Sequence, residues 1–319
     1  MGDLSTSLPA YFGLSGVRAV KERGVYLLGS AKIHKSNCSP REIIASFNLL
    51  KKIEQAGFSY ADVIIPATSG TPFVNLGRDI FVMTRNVCGR EPDMSCFADV
   101  KMLIESLAGF HNAARNFKEP GIPCAPSLTE VFAKHISMLN AIVKQVNRRP
   151  RLSDFDVLVL KNADSYFARA ENATKILEST DYILLYENAQ KNNHICHTAL
   201  KEETFTLTEK NCYISRFEDA TIDLQLTDLA SVLRRYAQKS LREIPINELL
   251  EIYNKISPLS NYKIIYAMLL FPWPFLKIVS QYYSKKRNFI PAVITTRMTG
   301  ILEAQDDYDK YLHPLTRGI

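Results

Sequence analysis

The stretch from His194 to Ala230, HICHTALKEETFTLTEKNCYISRFEDATIDLQLTDLA, decides the fold. Its short β-like pieces HICHT, FTLT and CYISRF interrupt a long run of helical periodicity, which places a β-insert inside a mainly helical region. The same stretch gathers groups able to do chemistry: His194, Cys196, His197, Lys201, Glu218, Asp219 and Asp228. Imidazole and thiolate suit zinc, and Cys212 follows Cys196 downstream. In a strand, however, His194 and Cys196 face one side and His197 the other. No second close ligand pair follows, so no metal site is expected here.

Working toward the N-terminus, Phe97, Val100, Ile104, Leu107 and Phe110 form one apolar helical stripe. Ser127 with Glu130 offers a capping box before Val131, His135 and Leu139, and a further helical pattern runs from Ser153 to about Thr180. The first 35 residues mix Gly13, Gly16, Gly24 and Gly29 with apolar runs such as VYLL, which reads as strands joined by tight turns. Ser39-Pro40-Arg41-Glu42 sets a cap, a proline at the first helical position and a glutamate at the third, before Ile43, Phe47, Leu50 and Ile53. Gly57 ends that helix. ADVIIPATSG and RDIFVMTRNV return to strand and lead through a hinge near 84–89 to a helix beginning near Met94. Downstream of the insert, helices resume at Thr227.

This order predicts an α+β fold of two lobes: a β-rich N-lobe with one helix over 1–88, and a helical C-lobe over 89–319 carrying the insert at 194–219. The length of 319 residues accommodates two lobes. Lys plus Arg exceed Asp plus Glu by 39 to 33, too thin a surplus to argue a nucleic-acid footprint. Six cysteines without a C-x-x-C pair point to reduced thiols in a cytoplasm. The start MGDLSTSLPA lacks the basic residues and apolar run of a secretory signal, so synthesis inside the cell is expected. IIYAMLLFPWPFL, between Lys263 and Lys277, is shorter than the roughly 20 residues of a membrane span. With Pro272 and Pro274 it reads as the end of a buried helix, an interfacial anchor being the alternative. Arg148-Arg149-Pro150-Arg151 and Lys285-Lys286-Arg287 read as solvated surface, with contact to an acidic protein as the alternative.

The element order resembles the protein-kinase-like fold, whose β-insert carries H-x-D-x-x-x-x-N and then a strand ending in I-D-[FW]-[ED]. His197-Thr198-Ala199-Leu200-Lys201-Glu202-Glu203-Thr204 stands in the first place and Ile214-Ser215-Arg216-Phe217-Glu218 in the second. Among such proteins the chain is similar to the CotS-type spore coat proteins, relatives of aminoglycoside and choline phosphotransferases. The likeness covers most of the chain. It lies in GFSYADVIIPATSGTPFVNLGRDIFVMTRNVCGRE, in LAGFHNAARNF, in Asp223 to Asp228 with Leu229 and Ala230, in Leu233-Arg234-Arg235, and in Leu270-Phe271-Pro272 with Tyr282-Tyr283.

On this resemblance Ala199 replaces the aspartate that takes the substrate proton, and Thr204 and Arg216 replace the two metal ligands. Alanine accepts no proton, and arginine neither binds a cation nor loses its charge. General acid-base help is worth about 10²- to 10⁴-fold, and the metal compensates the phosphate charge. The resemblance also gives His197 a packing role and Asp228 the bracing of the catalytic loop. Lys32, with Lys35 as competitor, is the weak candidate to pair with nucleotide phosphates, and Lys201 a second weak candidate; no G-x-G-x-x-G accompanies them. Glu42, the nearest acid, is explained by its capping box.

These residues imply a pseudokinase without cofactor or metal, scaffolding the spore coat among other coat proteins, with no nucleic-acid partner and no membrane span. Two alternatives remain: an active small-molecule phosphotransferase with acids relocated to Glu218 and Asp219, or a metal-independent nucleotide-sensing switch.

Overall fold

The computed structural model describes residues 4–117, 121–240, 245–259, 261–284 and 290–316. Lys285-Lys286-Arg287 lie outside them. The chain opens with helix α1 (Leu4–Ala10) rather than with a strand. Leu8 and Phe12 pack into a cluster with Ala31, Ile33, Phe81 and Met83, so tertiary burial fixes a helix that the glycine-rich pattern hid. Strands β1 (Val20–Glu22), β2 (Val25–Leu28) and β3 (Ala31–Ser36) follow, then helix α2 (Pro40–Gln55) and strands β4 (Ile64–Ile65), β5 (Val74–Leu76) and β6 (Asp79–Arg85). They form one antiparallel sheet in the order β1-β2-β3-β6-β4, with β5 also on β6. The β1–β2 turn is Arg23-Gly24, both at positive φ, the geometry that matches strand twist in a two-residue hairpin.

Both halves of the expected capping box are formed at Ser39 and Glu42, with Pro40 opening α2. The helix buries Ile43, Leu49, Leu50 and Ile53 and stops at Gly57, whose φ of +94° suits glycine. After β6, Asn86 donates its backbone N–H to Ser30 and its side-chain amide to Gly29. Asp93 then accepts from the Ser95 backbone, making a turn that holds Met94 buried. Helix α3 (Phe97–Ala113) therefore begins three residues after Met94.

Helices α4 (Leu128–Val146), α5 (Asp154–Glu178) and α6 (Tyr182–Lys191) precede the insert, which holds strands β7 (Ile195–Cys196), β8 (Phe205–Leu207), β9 (Cys212–Ile214) and β10 (Thr221–Ile222). β7 pairs with β10 and β8 with β9. The capping boxes at Ser127 and Ser153 are formed. Helices α7 (Leu226–Lys239), α8 (Ile246–Ile256), α9 (Tyr262–Leu270), α10 (Trp273–Tyr283), α11 (Pro291–Glu303) and α12 (Gln305–Thr316) complete the chain.

Packing groups these elements into two compact units. One comprises Met1–Ala125, Asn188–Asp228 and Glu251–Pro258, the other Pro126–Glu187, Leu229–Leu250 and Leu259–Ile319. The first keeps the sheet together with α3 and the insert; this grouping follows packing, whereas the expected lobe boundary follows chain order. Stacked rings organise the second: Phe132 on Phe271 at 3.8 Å, Phe155 on Tyr282 at 3.9 Å and Tyr166 on Phe275 at 3.9 Å. The segment Tyr262–Tyr283 has the length and composition of a membrane span, yet 67% of its most apolar window is buried and it breaks at Phe271-Pro272 into α9 and α10. In the basic cluster Arg149 is not a free surface charge: it pairs with the buried Asp156 at 2.9 Å and lies over the Tyr283 ring.

Candidate functional site

The insert is organised by one carboxylate. Asp228, in the first turn of α7 where the helix dipole favours negative charge, accepts the backbone N–H of His197 at 2.6 Å and that of Thr198 at 2.9 Å. A third hydrogen bond comes from His111 Nε2 at 3.1 Å, while His111 Nδ1 accepts from the Tyr253 hydroxyl at 2.6 Å. Burial alone would raise the Asp228 pKa; the hydrogen bond from His111, together with that from the His197 backbone, outweighs it and holds the group below its usual range. Burial pushes His111 down, so the imidazole is neutral. LAGFHNAARNF thus supplies a brace to the insert through His111.

His197 does structural work. Its Nε2 donates to the Ser215 carbonyl at 2.8 Å, its ring packs edge-on against Phe217 at 4.9 Å, and burial lowers its pKa. Two residues of the insert, Thr198 at φ +68° and Arg216 at φ +65°, adopt the left-handed conformation that non-glycine residues avoid. Such geometry costs about 1 to 3 kcal/mol and persists only where surroundings impose it. The Asp228 clamp does so at Thr198.

Within this frame the positions of the expected proton acceptor and metal ligands hold Ala199, Thr204 and Arg216. Ala199 carries no polar side-chain atom, and its backbone N–H turns back to the His197 carbonyl at 2.8 Å. Thr204 is 2% exposed, and its hydroxyl is spent on the Lys201 backbone, donating to the carbonyl at 2.7 Å and accepting the N–H at 3.1 Å. Arg216 is exposed and lies 3.9 Å from Glu203 Oε1, the same oxygen that Lys201 Nζ approaches at 3.7 Å. Two exposed cations thus share one exposed carboxylate, an arrangement worth little energy.

On β3, alternation sends Ala31 and Ile33 into the apolar cluster and Lys32 and His34 to the other face. Lys32 stands opposite Thr84, and its charge bears on Asp62, whose carboxyl burial pushes up to about 6. The competitor Lys35 is paired with Asp79 at 2.7 Å. Glu42 serves its cap, accepting the Ser39 N–H at 2.7 Å. Among the described residues no hydrogen bond or ion pair joins Lys32 to Lys201, Thr204 or Arg216.

The β3 side chain that reaches the insert is His34, which the sequence did not single out: its Nε2 lies 3.6 Å from Glu218 Oε1. Burial works to raise Glu218, and His34 more than offsets it, leaving the carboxyl below its usual range. Period-two alternation with Lys32 was the available signal.

His111, Cys196 and Asp228 also bring ligand atoms within 4.8 Å of one another. Both His111 nitrogens and both Asp228 oxygens are committed to protein partners, and burial keeps the Cys196 thiol protonated. His111 and Asp228 form a hydrogen-bonded brace, and the Cys196 sulfur beside them accepts from the Thr227 hydroxyl at 3.8 Å.

Comparison with known proteins agrees with this geometry. Solved structures of the same fold include an aminoglycoside phosphotransferase from Alicyclobacillus acidocaldarius subsp. acidocaldarius DSM 446, 18% identical with a TM-score of 0.85 over 94% of this chain and 92% of that one. An AMP-bound spectinomycin phosphotransferase is 11% identical with a TM-score of 0.70, covering 96% of each chain. At these identities the likeness shows the two-lobed kinase-like fold. The endospore coat-associated protein YutH of Bacillus subtilis (strain 168) is 24% identical over 189 residues, 57% of this chain and 54% of that protein, so the match spans about half the length of this curated relative. The description of one family fits residues 15–315, nearly the whole folded chain and all of the insert; the protein belongs to the spore coat putative kinase YutH family.

Proposed function

We propose that the protein is a catalytically inactive kinase-like component of the spore coat, made in the cytoplasm of a sporulating cell and acting there as a scaffold among other coat proteins. Family membership supports the coat role. The observation that carries inactivity is the direction of Thr204: its buried hydroxyl faces the Lys201 backbone, where a metal-binding amide would need to face a nucleotide. Ala199 offers no proton acceptor, and Arg216 places a fixed positive charge at the other metal position. An active enzyme with relocated acids would need Glu218 free, and His34 engages it.

Thermal denaturation with ATP, with magnesium chloride and with both tests the reading. The expected result is no stabilisation by the pair beyond that of either alone. A ligand at 100 times its Kd would add about 2.7 kcal/mol. A rise in Tm that requires ATP and magnesium together, or phosphate transfer from ATP to any small-molecule alcohol, refutes it.

A further inference from the structure

The arginine cluster of the sequence occupies the loop between α4 and α5, bounded by the C-cap Asn147 and the N-cap Ser153. Its middle member is pinned. Arg149 Nη1 donates to Asp156 Oδ1 at 2.9 Å and to Oδ2 at 3.1 Å, and the guanidinium lies over the Tyr283 ring at 5.3 Å. Asp156, 1% exposed, is held in turn by the Tyr283 hydroxyl at 2.6 Å and the Ser153 N–H at 2.9 Å. The backbone N–H groups of Arg148 and Arg149 close onto the Gln145 and Val146 carbonyls, and Pro150 fixes its own φ between the outer arginines. Contacts within the fold therefore set the shape of the loop.

Arg148 and Arg151, on either side of this anchor, are exposed and make no ion pair or side-chain hydrogen bond among the described residues. Arg148, like Lys144, stands at the C-terminus of α4, where the helix dipole suits a cation. Arg151 stands just before the N-terminus of α5, where the dipole does not. The neighbouring acid Asp154 is exposed and forms no ion pair with it. Beside Arg151, Leu152 and Val157 hold the two positions of a hydrophobic staple, yet stay 45% and 50% exposed.

This composition narrows the partner. Lipid-binding patches carry roughly four to eight Lys or Arg, more than the exposed Lys144, Arg148 and Arg151 supply. Nucleic-acid affinity likewise scales with the number of phosphates neutralised. A guanidinium is a planar fork that matches a carboxylate bidentately, and arginine beside apolar side chains is the composition of a protein interface. We propose that the α4–α5 loop docks an acidic segment of a partner protein, with carboxylates on Arg148 and Arg151 and an apolar side chain between them against Leu152 and Val157. The proposal rests on the scaffolding reading and gives the chemistry of the partner.

Fluorescence anisotropy of a fluorescein-labelled Glu-Glu-Leu-Leu-Glu-Glu peptide, titrated with the full chain at low and at physiological salt, tests it. Saturable binding is expected, weakened by salt and absent when Gln replaces every Glu. Arg148→Gln combined with Arg151→Gln weakens it about tenfold, through two lost charge-assisted contacts. Leu152→Ser, which keeps every charge, weakens it severalfold. Lys101→Gln combined with Lys210→Gln removes the same charge from two other exposed lysines without ion pairs among the described residues, and leaves the affinity within about twofold. The proposal is overturned by absence of saturable binding, by equal losses in the two double variants, by unchanged binding in Leu152→Ser, or by preference for vesicles of phosphatidylglycerol and phosphatidylcholine in equal parts over the peptide. No nucleotide enters these titrations, so a negative result strikes this surface alone, and the test with ATP and magnesium decides inactivity separately.

Discussion

Asp228→Asn is the substitution that most directly challenges the brace described for the insert. The native carboxylate takes two donors at Oδ2, from His197 and His111, and one at Oδ1, from Thr198. Asparagine keeps a single accepting oxygen. Its better orientation retains the pair at Oδ2 and points an amide N–H at the Thr198 N–H, losing that bond outright. Hydrogen bonds to a charged group contribute about 1.5 to 3 kcal/mol and neutral ones about 1. One lost bond, two weakened bonds and a donor facing a donor sum to about 4 to 6 kcal/mol. Release of the left-handed Thr198 returns about 1 kcal/mol, which leaves a net loss of about 3 to 5. Urea denaturation at neutral pH followed by circular dichroism measures it, with hydrogen-exchange mass spectrometry of the 195–200 peptide as a local readout. Tyr253→Phe, which removes the hydroxyl contacts to His111 and Ser257, should cost about 1 to 3 kcal/mol. If Asp228→Asn costs less than about 1 kcal/mol and the 195–200 amides keep their protection, Asp228 does not hold the insert.

Burial raises the Asp223 pKa to about 7 and that of Asp62 to about 6, so these two carboxyls bind more protons in the folded state than in the unfolded one between about pH 4 and 7, and their contribution to stability falls as pH rises through that window. Asp223→Asn, which can still accept the Leu224 N–H, should therefore gain up to about 3 kcal/mol at pH 8 and nothing below pH 4; urea titrations at the two pH values decide this. Trp273 is half-buried against Phe132, His135, Phe271 and the Arg234 guanidinium and donates to the Met268 carbonyl at 3.1 Å, so Trp273→Ala should cost about 2 to 4 kcal/mol by chemical denaturation. Full stability combined with lost binding to lipid vesicles would instead make the segment a docking surface.

The elements legible in the sequence are those whose cause is local. The capping boxes at Ser39 and Ser127 need only neighbouring residues, and both stand where the spacing puts them; a third, at Ser153 with Asp156, was equally local but was not read from the sequence. Helix α1 was not legible, because LSTSLPA has no helical signal of its own and is held by burial of Leu8 against a sheet that forms later in the chain. The start of α3 shifted for a related reason: the Asp93–Ser95 turn claims Met94 before the helix begins. His34 was invisible as a partner of Glu218 because 184 positions separate them and only the sheet brings them together.

The altered site shows why spacing and chemistry part company. Asp228, His197 and Phe217 serve the backbone of the insert: they satisfy two N–H groups, a carbonyl and an aromatic contact. Among the described residues the side chains of Ala199 and Arg216 make no such contact to the backbone. Thr204 even finds a local use, capping the short turn at Glu202–Thr204 through the Lys201 backbone. A chain can therefore match the motif in length, order and buried anchors while other residues stand at the positions expected for the proton acceptor and the two metal ligands. Spacing in this insert is thus a record of the fold, and a claim of activity for any chain with this frame has to rest on what occupies the positions of the proton acceptor and the two metal ligands.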